Sequence, residues 1–447
     1  MKENTTEINT WESWNGNLRH EYGRWFSPST EEELCSAVAQ STSVRVVGKG
    51  YSSADIQAGT ESLISLENYN RIVSLDTNKK EVTAQAGVLL KDLIHTCASQ
   101  DLGFPALPDI DGVTLGGALA TGTHGTGRDA HPLSGYMSSC TLVLSDGTLK
   151  TFTTKDREFP GLRVSLGLWG IFSTLTFRLE PIEEFFLVEK PMRDRLWLEA
   201  FPGWLQDHEF VRVLWLPHTD RGYVILGDKK WTLSLAEFAG ADPQAPFQEK
   251  PAPKFYSHRR KVSARLYALA VRWPWVTVFV NRILARLFFS AVQIRRGNLY
   301  DATVTKSRSG TMELAEWTIA LEKFTPCFTE LREALHRWSS PAFAHIPMDI
   351  RFLKADDTWL GNASGADTVT VGCVTRHAPS AQTYAAFEVI ERIFFKHGGR
   401  PHWAKHHSLG KKSLAILYPH WEDFLSLRRK MDPQGKFLNP YLKSIFE

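Results

Sequence analysis

The chain has 447 residues, 43% of them hydrophobic and 23% charged, with a formal net charge of +3. That length suits two domains, or one domain with a large insertion, and the composition is that of a globular protein with a sizeable core. So small a charge argues against nucleic acid as the main partner, and no apolar run reaches the ~18 uncharged residues of a membrane span. The 15 Trp and 26 Phe suit broad packed sheets or a pocket for a flat ligand. Cys35, Cys97, Cys140, Cys327 and Cys373 are scattered and form no Cys-x-x-Cys pair. They predict free thiols in a reducing compartment, with neither a disulfide framework nor a zinc knuckle. The polar start, MKENTTEINTW, carries no apolar signal region, so the expectation is a cytoplasmic protein.

In chain order, residues 11–27 read as an edge segment anchored by Trp11, Trp14, Trp25 and Phe26. Ser27 to Glu33 (SPSTEEE) is a helix start, a hydroxyl cap followed by acids that suit the dipole, and the helix runs to about Gln40. The strand Val44–Val47 leads straight into Gly48-Lys49-Gly50-Tyr51-Ser52-Ser53, a candidate phosphate loop for which a plain β-turn is the alternative. Short strands at 62–66, 72–75 and 82–86 follow, then a helix from Leu89 to Ser99 with Leu90, Leu93, Ile94 and Cys97 on one face. The chain is organised around Gly112–Gly127, GVTLGGALATGTHGTG. So many glycines and small hydroxyls expose backbone N–H groups to an anionic ligand such as a pyrophosphate. It is neither the Gly-x-Gly-x-x-Gly dinucleotide fingerprint nor a P-loop, and a tight turn is its plain alternative. Asp146-Gly147 marks a hairpin, and Ser165 to Phe172 is a further glycine-punctuated turn before the strand 173–179.

Past Pro181 the character changes. Residues 210–217 and 222–226 predict a hairpin. From Pro251 to Arg296 there are ten Lys or Arg and no Asp or Glu, interleaved with apolar runs. Such a segment fits peripheral contact with a membrane surface, or a helix pair covering a sheet with its arginines reaching water. Residues 346–353 and 369–374 read as central strands, Gln382–Lys396 as a helix ended by Gly398-Gly399, and Trp421–Met431 as a helix stopped by Asp432-Pro433-Gln434-Gly435.

Val46 to Ile56 (VVGKGYSSADI), Ala120 to Gly127 (ATGTHGTG) and Leu166 to Ile171 (LGLWGI) resemble the three flavin-binding segments of the vanillyl-alcohol-oxidase-type FAD enzymes. Gly399 to Lys405 (GRPHWAK), Asp432 to Asn439 (DPQGKFLN) and Phe210 to Thr219 (FVRVLWLPHT) are similar to the sugar-1,4-lactone oxidases, the branch with the gulonolactone and arabinonolactone oxidases. The likeness covers nearly the whole chain.

This resemblance implies an α+β fold. An FAD-binding domain of two α+β subdomains would span residues 11–183, an α+β cap or substrate domain 184–405, and a segment returning to the FAD domain 406–447. It implies oxidation of a secondary alcohol of a sugar lactone or polyol, with hydride passing to flavin N5 and electrons to O2 giving H2O2. A dehydrogenase delivering to a quinone or cytochrome, or a flavoenzyme of specialised biosynthesis, is the alternative. The implied cofactor contacts are Val47, Gly48, Lys49, Gly50, Tyr51, Ser52, Thr114, Gly117, Thr121, Gly122, Thr123, His124, Gly125, Gly170 and Ile171, with Thr114 near the flavin ring and His124 supporting its loop.

Asp349, Arg351 and Lys405 are the implied catalytic residues. Asp349 and Arg351 are two apart on a strand and share a face, where a simple surface ion pair is the alternative. A carboxylate there would take or orient the substrate hydroxyl proton, while Arg351 or Lys405 would hold it and offset developing negative charge. His402 and Trp403 either line the pocket or form a buried pair. His406 and His407 lack an acid or cysteine for a metal site, and no metal is expected. Relatives carry a flavin-linking histidine at Tyr51, so noncovalent FAD is expected. They carry Glu at Asp349, which shortens the reach of the carboxylate in this chain.

Overall fold

The computed structural model describes residues 9–304, 312–336, 343–375 and 381–447, so most of the polar start lies outside the described residues. Thr30 caps the helix Glu31–Gln40 by accepting from the Glu33 amide at 3.2 Å, and three glutamates fill its first turn. Val44–Val47 then pairs in parallel with Ser62–Ser65, which also pairs with Arg24–Phe26. The segment expected as an edge ends in Arg24–Phe26 at the edge of that sheet and begins as a small ribbon, Asn9–Glu12 against Arg19–Tyr22, whose Trp11 and Tyr22 are buried with Val47 and Leu63. A five-stranded antiparallel sheet lies beside it in the order Leu149–Thr153, Met137–Val143, Ile171–Arg178, Glu81–Gln85, Ile72–Asp76. Its hairpin turns at Asp146-Gly147, where Gly147 takes the positive φ of 86° that the turn needs.

One core serves the helix and both sheets, beside the ribbon's own small cluster, and the C-terminal part of the chain completes it. Trp403, Trp421, Phe424 and Phe446 are buried together with Leu34, Leu93, Leu142 and Trp169. Val44 donates its amide to the Lys436 carbonyl at 2.9 Å, and Asn439 donates to the Asp55 and Ile56 carbonyls.

The middle of the chain builds an eight-stranded antiparallel sheet in the order Gln293–Gly297, Phe185–Arg193, Arg221–Asp228, Phe210–Trp215, His345–Leu353, Thr368–Thr375, Glu313–Ala320, Arg400–Pro401. Residues 210–228 form the expected hairpin, and the two expected central strands are central. Three helices, Asp194–Asp207, Leu321–His336 and Ala381–Lys396, bury Trp197, Phe201, Phe328 and Phe394 against one face. Alternation leaves the opposite face of the central strands to other side chains.

The basic segment forms two helices, Arg259–Arg272 and Thr277–Phe288, broken at Pro274. Their inner sides, through Tyr267, Leu284 and Phe288, pack on Leu216 and Tyr223 at the end of the hairpin. No helix of the described residues is long and apolar enough to cross a membrane.

Candidate active site

A cavity of about 460 Å³ runs between the two halves. One end is built from backbone. Because Val44–Val47 ends at Gly48, the chain turns under Gly50, whose φ is 67°. Among the described residues, the amides of Gly48, Lys49, Gly50, Tyr51 and Ser52 have no hydrogen-bond partner, and all five residues line the cavity. The loop meets the central glycine stretch so closely that a Cβ on Gly48 would lie 2.0 Å from Thr114 Oγ1. Gly116, Gly117, Thr121 and Thr123 continue the wall, with Gly170 and Ile171 opposite. Free amides and hydroxyls without carboxylates are the donor set a dinucleotide pyrophosphate requires. Tyr51 stacks on Trp14 with ring centroids 5.3 Å apart, so its ring is already held by the protein.

The other end is built from side chains on the free face of the large sheet. Register places Leu214, Asp349, Gly372 and Glu316 in one row across four adjacent strands, with Arg212 beside Arg351 in the next row. Gly372 keeps the space between the two carboxylates open, since an added Cβ would lie 3.9 Å from the Asp349 Cβ and 4.0 Å from the Glu316 Cδ. Arg212 donates to both oxygens of Asp349, at 2.8 and 2.7 Å, in a forked grip. Arg351 donates to Glu316 at 3.0 Å and to the His124 carbonyl at 3.2 Å, and its Nε lies 3.4 Å from Asp349. Glu316 is also 2.7 Å from the His124 ring. Burial alone would raise the Glu316 carboxyl, but the Arg351 guanidinium and His124 overcome this and hold it well below the usual carboxylate range. Burial pulls Arg351 down, yet Asp349 and Glu316 outweigh it and hold the guanidinium above its ordinary value. His402, fully enclosed beside them, is pushed down to about 3 by burial.

Asp349, Arg351 and Lys405 all line the cavity, Lys405 from the loop after Trp403. Arg351 reaches the Asp349 carboxylate through its Nε, as expected of one of the two cations named for it, but the forked grip comes from Arg212, on the first strand of the 210–228 hairpin and not singled out in the sequence. Glu316 is a second site residue that no sequence motif marks. Of the expected cofactor contacts, Val47 to Ser52, Thr114, Gly117, Thr121, Thr123, His124, Gly170 and Ile171 line the cavity, but Gly122 and Gly125 do not. These two glycines shape the loop. Gly122 turns with φ 76°, and a Cβ on Gly125 would lie 2.5 Å from the Leu107 carbonyl oxygen. Trp403 lies in the core, donating to the Leu360 carbonyl at 2.8 Å. His124, Glu316 and His402 bring three metal-ligating atoms within 4.8 Å of one another. With the Arg351 guanidinium already on that carboxylate, the set is a charge network and a poor host for a cation.

Residues 175–445 match the family described as D-arabinono-1,4-lactone oxidase, and residues 25–153 match an FAD binding domain. The chain is 29% identical to the L-gulonolactone oxidase of Scyliorhinus torazame, over 97% of this chain and 98% of that protein. It is 27% identical to the L-gulono-1,4-lactone dehydrogenase of Mycobacterium tuberculosis, again over 97% and 98%. Among solved structures, cholesterol oxidase from B. sterolicum aligns with a TM-score of 0.74 over 98% of this chain and 97% of that one, and at 14% identity this likeness speaks for the fold alone. The fold is therefore the α+β arrangement of an FAD-binding domain and a cap domain. With the family match covering more than half its length, the chain belongs to the D-arabinono-1,4-lactone oxidase family, FAD-dependent oxidoreductases acting on sugar CH–OH groups.

Proposed function

We propose that the protein oxidises a secondary alcohol of a sugar lactone or polyol and passes the two electrons to O2, releasing H2O2. The observation that carries this reading is one cavity with two chemistries, free amides at one end and a carboxylate gripped by two guanidinium groups at the other. Bound FAD would supply the hydride acceptor at N5 and the electrons for O2. The amides of Gly48 to Ser52 and the hydroxyls of Thr114, Thr121 and Thr123 would hold it. Tyr51 offers no imidazole, and its ring is engaged with Trp14, which supports noncovalent attachment.

Asp349 accepts the hydrogen bond of the substrate hydroxyl and takes up its proton as hydride leaves the carbon. Arg212 holds Asp349 in orientation, and Arg351 and Lys405 supply positive charge where the substrate oxygen and the reduced ring become more negative. We place the FAD domain at 11–183 and 406–447 and the cap at 184–405. Five free cysteines support a cytoplasmic setting. A second reading, favoured by the name of the M. tuberculosis relative, is a dehydrogenase that delivers to a quinone or cytochrome.

Asp349→Asn and Lys405→Met should bind FAD normally, yet be reduced by substrate at least roughly tenfold more slowly in anaerobic rapid mixing. Reduction at the wild-type rate in both variants refutes the roles of Asp349 and Lys405. Readmitting air separates the two readings, because an oxidase recovers its yellow colour at once and a dehydrogenase does so only with an added quinone or cytochrome.

A further inference from the structure

The cavity is polar around Asp349 but not beyond it. Leu214 lies directly across the sheet from Asp349, and from there Ile346, Tyr267, Leu284 and Phe289 continue the wall, packed in one apolar cluster. Tyr267 presents its ring, because its hydroxyl donates to Asn281 Oδ1 at 2.8 Å and accepts the Ile346 amide at 2.9 Å. Ser263 and the exposed Arg259 are the polar members of this side, and the Arg259 guanidinium lies over the Phe289 ring, 5.4 Å from its centroid. A sugar hydroxyl set against the apolar part gives up its hydrogen bonds to water and finds no replacement.

Ile346 is strained into its place in that wall. Its φ is 64°, in the left-handed region that a β-branched residue rarely occupies. His345 pairs with Val374 and Asp349 with Gly372, so this strand carries two more residues than its partner between those pairs, a bulge that ends at the carboxylate. Core packing alone does not call for this, since a regular strand buries an isoleucine without strain. Bulges re-aim side chains, and strained residues gather at ligand sites. Here Ile346 and Pro347 face the cavity just before Asp349, with the Ile346 amide pinned by Tyr267.

We propose that the substrate carries an apolar substituent, an alkyl or aryl group of several carbons, which lies along this wall while its sugar or polyol head meets Asp349. This rests on the reading of Asp349 as the point of alcohol oxidation. A plain lactone or alditol, with a hydroxyl on nearly every carbon, would leave the wall facing hydroxyls or water.

The test compares L-gulono-1,4-lactone and sorbitol with their butyl and octyl ethers at a primary hydroxyl, each added anaerobically to the FAD-loaded full chain. The flavin absorbance change, whether a shift or a bleaching, gives the half-saturating concentration. Each fully buried methylene strengthens binding about fourfold, so the butyl ethers should bind at least roughly tenfold more tightly than their parents. Ile346→Gly removes the side chain and relieves the φ of 64°, so it should melt no lower than wild type, yet lose at least roughly threefold of that gain. Ethers that bind no better than their parents overturn the proposal, as does a variant that keeps the whole gain. A variant that melts markedly lower would assign Ile346 to packing and overturn it too. A shift without bleaching by any of these compounds would instead refute the oxidation reading, and the gain with chain length would still decide the wall.

Discussion

Asp349 shows how a short side chain is made useful by its neighbours. It lies one methylene closer to the strand than Glu would, and the forked contact from Arg212 fixes both of its oxygens. In the proposed role this brings substrate close to the sheet itself, and Gly372 leaves the space for it. Asp349 and Arg351 are legible in the sequence through the family resemblance, and their shared face because two residues apart on one strand is a local relation. Arg212 and Glu316 are not, since they reach the site through sheet register from 137 and 35 residues away. That register depends on which strands pair, and no local pattern encodes it. Tyr51 carries the residue-scale prediction about the cofactor. Acid precipitation should leave a colourless pellet and a yellow supernatant containing FAD, as expected of a phenol already stacked on Trp14. Colour retained in the pellet would mean a covalent link.

At the scale of elements, the two glycine loops act as one because they touch. A methyl group at Gly48 would lie 2.0 Å from Thr114 Oγ1 and 3.0 Å from its Cβ, so Gly48→Ala must separate the strand-end loop from the central stretch. FAD affinity, read by flavin fluorescence titration, should fall at least roughly tenfold, since displaced donors no longer converge on one ligand. Unchanged affinity would show that the loops hold nothing in common. Elements with strong local signals, the capped helix Glu31–Gln40 and the hairpin at Asp146-Gly147, are readable from sequence. The helices Asp194–Asp207 and Leu321–His336 are not, because Pro202 and Pro326 sit inside them. A proline there removes a helix donor and argues for a break. Burial of Phe324, Phe328, Leu331 and Leu335 on one side overrides it.

Across the whole molecule, burial keeps several histidines neutral. Desolvation lowers His402 to about 3, and His218 and His407 to about 4. Each binds a proton near pH 6.5 once unfolded. Their contribution to stability is thus complete above pH 6.5 and is lost as pH falls toward 4, at up to about 1.4 kcal/mol per pH unit for each histidine. The melting temperature should drop by roughly 5 °C between pH 7 and pH 5, measured by calorimetry with FAD in excess. An equal or higher value at pH 5 would mean that these rings are hydrated. The joining of residues 432–446 to the first core has a further consequence, for synthesis on the ribosome. The strand that carries the Gly48 loop receives Lys436 and Phe437 against Val44 and Arg45, and the loop after it receives Asn439 at Asp55. Nearly four hundred residues separate those partners in the chain. Domains ordinarily fold in the order in which they emerge, but this one must wait for the entire cap to be translated first. Its half-built core is exposed throughout that interval, and FAD has no finished cradle to enter until it ends.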